Sequence, residues 1–191
     1  LVARGYGWHA DSGVFSTPAA GGGVAAVIDQ DRPNFLVSIP TAYVLIPLRI
    51  HVTAQTPLIA ADADETEILI AADVASAAAG ITTQTTVVTP INMRTTTAGS
   101  CPATVYKTMS ANMTNPTLGV ELARACRVAD VNGIAANALW GSLDLVYEPV
   151  SPPFLVGPCC LYVYHGGTVA TTGFVNADFA IIASSLVTGL S

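Results

Sequence analysis

The densest set of side chains able to hold a hard cation is "DADETE", residues 62 to 67, which carries Asp62, Asp64, Glu65 and Glu67. Calcium needs several oxygens converging on one point. The stretch lacks the D-x-D-x-D-G spacing and the closing bidentate glutamate of an EF-hand, so it reads as a solvated turn or a salt-bridge partner before it reads as a metal site. His9, His51 and His165 are solitary, without the close pair of a cupin-type metal strand. Ser142 lies in "WGSLD", a strand-like run without a G-x-S-x-G elbow. The glycines of "AAGGGVAA" have neither a preceding strand nor a P-loop lysine. Glu121, Asp144 and Glu148 are carboxylates of the kind a glycosidase pair uses, but each alternates with apolar neighbours as an outward-facing strand residue does. These patterns lead to the expectation of a non-enzymatic protein with no cofactor and no metal.

Cys101, Cys126, Cys159 and Cys160 show no C-x-x-C spacing and no histidine companion, which disfavours zinc. Buried thiols fit them, and a Cys101 to Cys126 bridge also fits. Adjacent Cys159 and Cys160 would face opposite sides of a strand and could not easily bond to one another. The redox compartment stays open on this pattern.

Such residues need elements to position them, and the elements read as strands. Short apolar segments recur between turn signals: "FLVSIP", "EILIAADVA", "ATVYKTM", "LGVELARACRVA", "ALWGSLDLVYEP", "FLVGPCCLYVYHGG" and "ADFAIIASSLV". Their wealth of Val, Ile, Thr and Tyr predicts an all-β protein, an antiparallel sandwich or barrel. Residues 1 to 23 mix aromatics with "STPAAGGG" and are expected to form an extended N-terminal arm, with residues 24 to 191 as a single domain. In that arm Tyr6, Trp8 and Phe15 either cap the core or lie across a neighbouring subunit. The alanines of "AADVASAAAG", residues 71 to 80, predict one short helix ended by Gly80.

"TAYVLIPLRIHVTAQ", residues 41 to 55, sets Val44, Ile46, Leu48, Ile50 and Val52 on one face and Leu45, Pro47, Arg49 and His51 on the other. Thirteen extended residues would span roughly 43 Å, longer than a usual strand. Pro47 cannot donate to a ladder, so a bend or a change of partner is expected there. The face with Tyr43, Arg49 and His51 mixes apolar and polar groups as protein interfaces do. The competing expectation pairs Arg49 with a carboxylate of its own chain, with Asp62, Asp64, Glu65 or Glu67 available.

Charged residues are 10 % of the 191, hydrophobic residues 51 %, and mean hydropathy is +0.54. An ordinary soluble domain is about 25 % charged. Pro47, Arg49, His51 and Asp73 interrupt the apolar runs before the roughly 18 residues of a spanning helix are reached. Aromatics, 7 % of the chain, do not recur at strand ends as the girdles of a transmembrane barrel would. No membrane association is expected. A net charge of −6 with Lys107 as the sole lysine leaves no basic stripe for phosphates, so direct nucleic-acid binding is not expected either. Area scaling gives a monomer of this mass roughly 8,600 Å² of surface, about one charged group per 430 Å². So sparse a surface predicts cover by copies of the same chain or by another protein. Leu1 in place of a methionine reads as a processed or incomplete N-terminus, and "LVARGYGWHA" has no charged-then-apolar leader layout.

Taken in order, "IPTAYVLIPLRIHVTAQTP", "DADETEILIAADV", "INMRTTT", "LWGSLDLVYEPVSPPFLVGPCCLYVYHGGT" and "ADFAII" resemble the jelly-roll structural proteins of bacteriophage virions, over roughly residues 34 to 183. The resemblance rests on pattern and order. It implies two packed antiparallel sheets of jelly-roll type, assembly as homotrimers, and a role in building or decorating the capsid beside other capsid proteins. It further implies that Tyr147, Tyr162 and Tyr164, in segments similar to the last strands of trimeric jelly rolls, line a threefold contact. Tyr43, Arg49 and His51 on the mixed face and Tyr6 and Trp8 in the arm are the other residues expected at an interface. A secreted jelly roll that binds carbohydrate or a receptor is the rival expectation, and the shortage of polar loop residues counts against it.

Overall fold

The computed structural model describes residues 1–14, 17–20, 28–57, 64–73, 87–94, 99–107, 113, 118–129, 140–167 and 171–187. Two antiparallel sheets account for nearly all of their regular structure. The first holds β1 (Gly7–Ser12), β2 (Ala19–Ala20), β4 (Tyr43–Pro57), β7 (Ile91–Asn92), β10 (Trp140–Tyr147), β11 (Leu155–Val156) and β13 (Thr172–Ala183). Its order is β10-β4-β13-β1-β7, with β11 beside β4 and β2 beside β13. The second holds β3 (Phe35–Ile39), β5 (Asp64–Asp73), β6 (Val87–Val88), β8 (Thr104–Lys107), β9 (Leu118–Ala129) and β12 (Cys159–Gly167), in the order β6-β8-β3-β12-β5-β9. Together they make an all-β, sandwich-like fold. Among the described residues no helix is long and apolar enough to cross a membrane.

The main core lies between the sheets. Leu45, Ile50, Val52, Val175 and Phe179 meet Phe35, Val37, Ile68, Ile70, Leu161 and Val163, all essentially without exposure. Alternation along each strand sends every second residue there. The opposite faces are apolar in places too. Leu36, Leu69, Tyr162 and Tyr164 form a second cluster, packed with Met113. Val44, Ile46, Ala180 and Ile182 form a third, covered by Tyr6, Leu48 and Val187. Strands buried on both sides read as unbroken apolar runs, which accounts for the high hydropathy.

The strict alternation expected over residues 44 to 52 is broken by a bulge. Asp178 of β13 faces Arg49 while the next residue, Phe179, faces Pro47, so Leu48 is the extra residue. Leu45 and Pro47 therefore share the inward face with Ile50, Val52 and Ala54, and Val44 and Ile46 face outward with Arg49 and His51. The change of partner expected at Pro47 is present: Val44 and Leu45 pair with β11, whereas residues from Ile50 onward pair with β10.

The N-terminal arm is corrected over its described part. Residues 7–12 are β1, a strand between β13 and β7, because Trp8, Ala10 and Ser12 alternate inward and all three are buried. Of that segment, residues 15–16 and 21–23 lie outside the described residues. Within the expected helix, residues 71–73 complete β5, and 74–80 lie outside the described residues.

Candidate interaction surface

The bulge in β4 decides what the outer face of the first sheet presents. Beyond Leu48 the outward residues of β4 are Arg49, His51 and Thr53, and cross-strand register supplies their neighbours. Thr53 faces Asp144 and His51 faces Val146 on β10. On β13, Asn176 faces His51 and Asp178 faces Arg49. On β1, His9 faces Asp178 and Asp11 faces Asn176. Four strands thus build one polar grid.

Asp144 is a hub of that grid. The Thr53 hydroxyl donates to its Oδ1 at 2.6 Å and the Ser142 hydroxyl to its Oδ2 at 3.2 Å, while His51 Nε2 lies 3.5 Å from Oδ1. The Thr53 bond, against the opposing effect of burial and with lesser help from Ser142 and His51, holds the carboxyl below its ordinary range. The carboxylate stands between serine and histidine, so this is not the order in which a base relieves a serine of its proton. A second histidine–carboxylate contact joins His9 Nδ1 to Asp178 Oδ1 at 2.7 Å. Arg49 Nε stands 3.9 Å from Glu148 Oε2, and both side chains are well exposed. Among the described residues the partner of Arg49 is therefore Glu148, just past β10, and not Glu65 or Glu67.

Within that acidic stretch, Asp62 and the side chain of Asp64 lie outside the described residues. Glu67 pairs with Arg124 across β5 and β9, and Arg124 also donates to Glu121 Oε2 at 2.7 Å. Cys126 donates to Glu65 at 3.3 Å. Among the described residues no group of three histidine, cysteine or acidic side chains converges as metal ligands would. Cys101 and Cys126 form no disulfide with one another. Burial pushes the Cys101 thiol up to about 11 and the Cys159 thiol up to about 12. Cys159 faces the main core and Cys160 the second cluster, on opposite sides of β12 as expected.

The residues expected at an interface fall into three groups. Arg49 and His51 share the polar grid. Tyr6 is half-buried over the third cluster, and Tyr43 and Tyr147 are half-buried against the main core. Trp8, Tyr162 and Tyr164 are enclosed by their own chain at 5 %, 0 % and 1 % exposure, which corrects their assignment to a contact with a neighbour. The two tyrosine rings stack with centroids 6.0 Å apart. Their hydroxyls donate inward, Tyr162 to Asp73 Oδ2 at 3.2 Å and Tyr164 to the Gln30 carbonyl at 3.0 Å.

Sequence reasoning missed Asp178, Asn176 and His9 as partners of this face. The signal was present in "TGFVNADFA", where Asn176 and Asp178 alternate with Val175, Ala177 and Phe179. It also missed the apolar rim next to the grid, where Val146, Val150, Phe154 and Val156 are 49 %, 102 %, 55 % and 40 % exposed. At the other edge of the sheet Ile91 and Met93 are exposed as well. Comparison with family models, curated proteins and solved structures finds no match to this chain.

Proposed function

We propose that this protein is a non-enzymatic structural protein of a bacteriophage virion, a jelly roll that associates as homotrimers and forms or cements the capsid beside other capsid proteins. The exposed apolar rim on a weakly charged surface carries the reading. The accessible surface is 9360 Å² and the chain has 20 charged residues, Asp73 among them buried, so the surface carries no more than about one per 470 Å², sparser than mass scaling gives. Apolar side chains left in water on such a surface favour association with further protein. The proposal includes no direct contact with nucleic acid, in keeping with the net charge of −6.

Strand order supports the jelly-roll part of the proposal. The eight longest strands, in chain order, are β1, β3, β4, β5, β9, β10, β12 and β13. The first pairs with the eighth, the second with the seventh, the third with the sixth and the fourth with the fifth. Contacts of β13 with β4 and of β12 with β5 then join these pairs into two sheets. A long hairpin wound over itself has this pairing, and it is what a jelly roll of two Greek keys requires.

The test is sedimentation velocity across micromolar concentrations, followed by negative-stain microscopy of whatever forms. Concentration-dependent trimers or larger closed assemblies are expected; a well-hydrated monomer throughout would remove the proposal. One observation favours the rival reading of a secreted, sugar-binding trimer. Asp11, Asn176 and Phe174 line an open hollow of about 350 Å³, a mixture of polar and aromatic groups that suits a saccharide. A glycan array in which Asp11→Ala abolishes a reproducible signal would favour that reading over the capsid one.

A further inference from the structure

Two features outside the polar grid have the character of a knob and of a socket. The knob is Phe154, 55 % exposed in the connection from β10 to β11 and followed on β11 by the 40 % exposed Val156. The socket is a groove of about 320 Å³ lined by Leu1, Arg4, Tyr6, Ile182 and Leu186. A cavity of about 150 Å³ already accepts a benzene ring, so the groove has room for a phenyl side chain.

The socket walls are held in place. The 3₁₀ turn Val2–Arg4 ends at Gly5, whose φ of 81° belongs to the left-handed region that glycine occupies without strain. Asn92 Nδ2 donates to the Gly5 carbonyl at 2.8 Å, and Ile181 N to the Tyr6 carbonyl at 2.9 Å. Charge is complementary as well. Glu148 opens the connection that carries Phe154 and is 68 % exposed, while Arg4 stands in the groove wall.

We infer that Phe154 of one copy seats in the Leu1–Arg4–Tyr6–Ile182–Leu186 groove of the next, with Glu148 approaching Arg4, and that this contact joins the protomers. The inference rests on the self-association proposed above. Knob and socket are different patches of one protomer, so each copy offers one of each. Such a head-to-tail contact generates a ring when its rotation closes, the arrangement a trimer uses.

The experiment compares wild type, Phe154→Ser, Leu186→Asp and an equimolar mixture of the two variants by sedimentation velocity. Phe154 and Leu186 are both exposed, at 55 % and 62 %, so neither substitution opens the core, and circular dichroism verifies the fold. If Leu186→Asp fails to fold, Arg4→Glu takes its place. Each variant alone is expected to weaken association about 30-fold or more, as loss of a buried aromatic anchor does. The mixture is expected to recover dimers and nothing larger, because it retains one intact knob and one intact groove per pair. Variants that assemble like wild type overturn the inference and leave the proposed function standing, as does a folded mixture that stays monomeric. A monomeric wild type instead sinks the proposed function.

Discussion

His165 shows how much a single enclosed side chain sets the response of this protein to acid. Its ring is buried between the sheets, with Nδ1 3.1 Å from Thr171 Oγ1 and Nε2 without a partner among the described residues. Burial holds its pKa down to about 4, against an ordinary value of 6.5. The fold therefore favours the neutral ring. Between those two values the unfolded chain binds the extra proton, so stability is complete above about 6.5 and falls as the pH drops toward 4. The loss attributable to this group is at most roughly 3 kcal/mol. Urea midpoints measured from neutral pH downward should show the decline, and His165→Gln should flatten it. Asp144 acts lower on the scale: its depressed carboxyl lends stability above the ordinary carboxylate range and loses it as the pH falls through the folded value. Because that side chain is half exposed, Asp144→Asn should cost less than about 1 kcal/mol at neutral pH. Gly173 belongs to the same corner. A Cβ there would sit 2.5 Å from the Thr53 carbonyl and 3.1 Å from His165 Nε2, so Gly173→Ala should destabilise the fold by about 1–3 kcal/mol through overpacking.

At the scale of elements, β4 is a strand whose two halves obey opposite phases. Before Leu48 the even-numbered residues face outward; after it the odd-numbered ones do. Without the bulge, either Ile50 and Val52 would turn out onto the polar face or Leu45 and Pro47 would leave the main core. Deleting Leu48 should therefore cost several kcal/mol, since each fully buried aliphatic side chain contributes about 1.5–3 kcal/mol. Leu48→Ala, which keeps the bulge and trims a half-buried side chain, should cost far less. Denaturant titration of the two variants separates phase from packing, and equal losses would deny the bulge its role. The pair Arg49–Glu148 sits on the rim beside this strand, exposed and 3.9 Å apart. Arg49→Ala should leave stability within about 1 kcal/mol of wild type while weakening assembly; unchanged assembly would take Arg49 out of the contact.

The molecule as a whole combines a large apolar interior with a thinly charged exterior. Exposed apolar side chains gather at the edges of the first sheet, Val146, Val150 and Phe154 near β10 and Ile91 and Met93 near β7, and Leu1 and Leu186 are exposed at the groove. Between β10 and β9 the sheets are tied by Arg127, whose Nη1 donates to the Ser142 carbonyl at 3.0 Å. An assembly joined through apolar rims should persist in roughly 0.5 M salt, where ionic contacts between exposed groups are largely screened. Its association rate should fall somewhat as Glu148 and Arg4 lose their mutual steering. Complete dissociation at that salt, seen by light scattering, would assign the contact to charge instead of apolar area.

The sequence by itself determined the class of fold, since runs rich in Val, Ile, Thr and Tyr between turn residues make strands wherever they can find partners. It also determined that Cys159 and Cys160 face opposite ways and that β4 changes partner at Pro47, because two-residue periodicity and the missing proline donor are local properties. Only the tertiary structure decided the faces. A one-residue bulge reverses every side chain after Leu48, and nothing in the residues 41 to 55 marks where the extra residue goes; the register against β13 chooses it. The same holds for Trp8, Tyr162 and Tyr164. An aromatic residue suits a core as well as a contact between subunits, and their burial was settled by distant segments such as β13 beside β1, and Asp73 and Gln30 beneath the tyrosine hydroxyls.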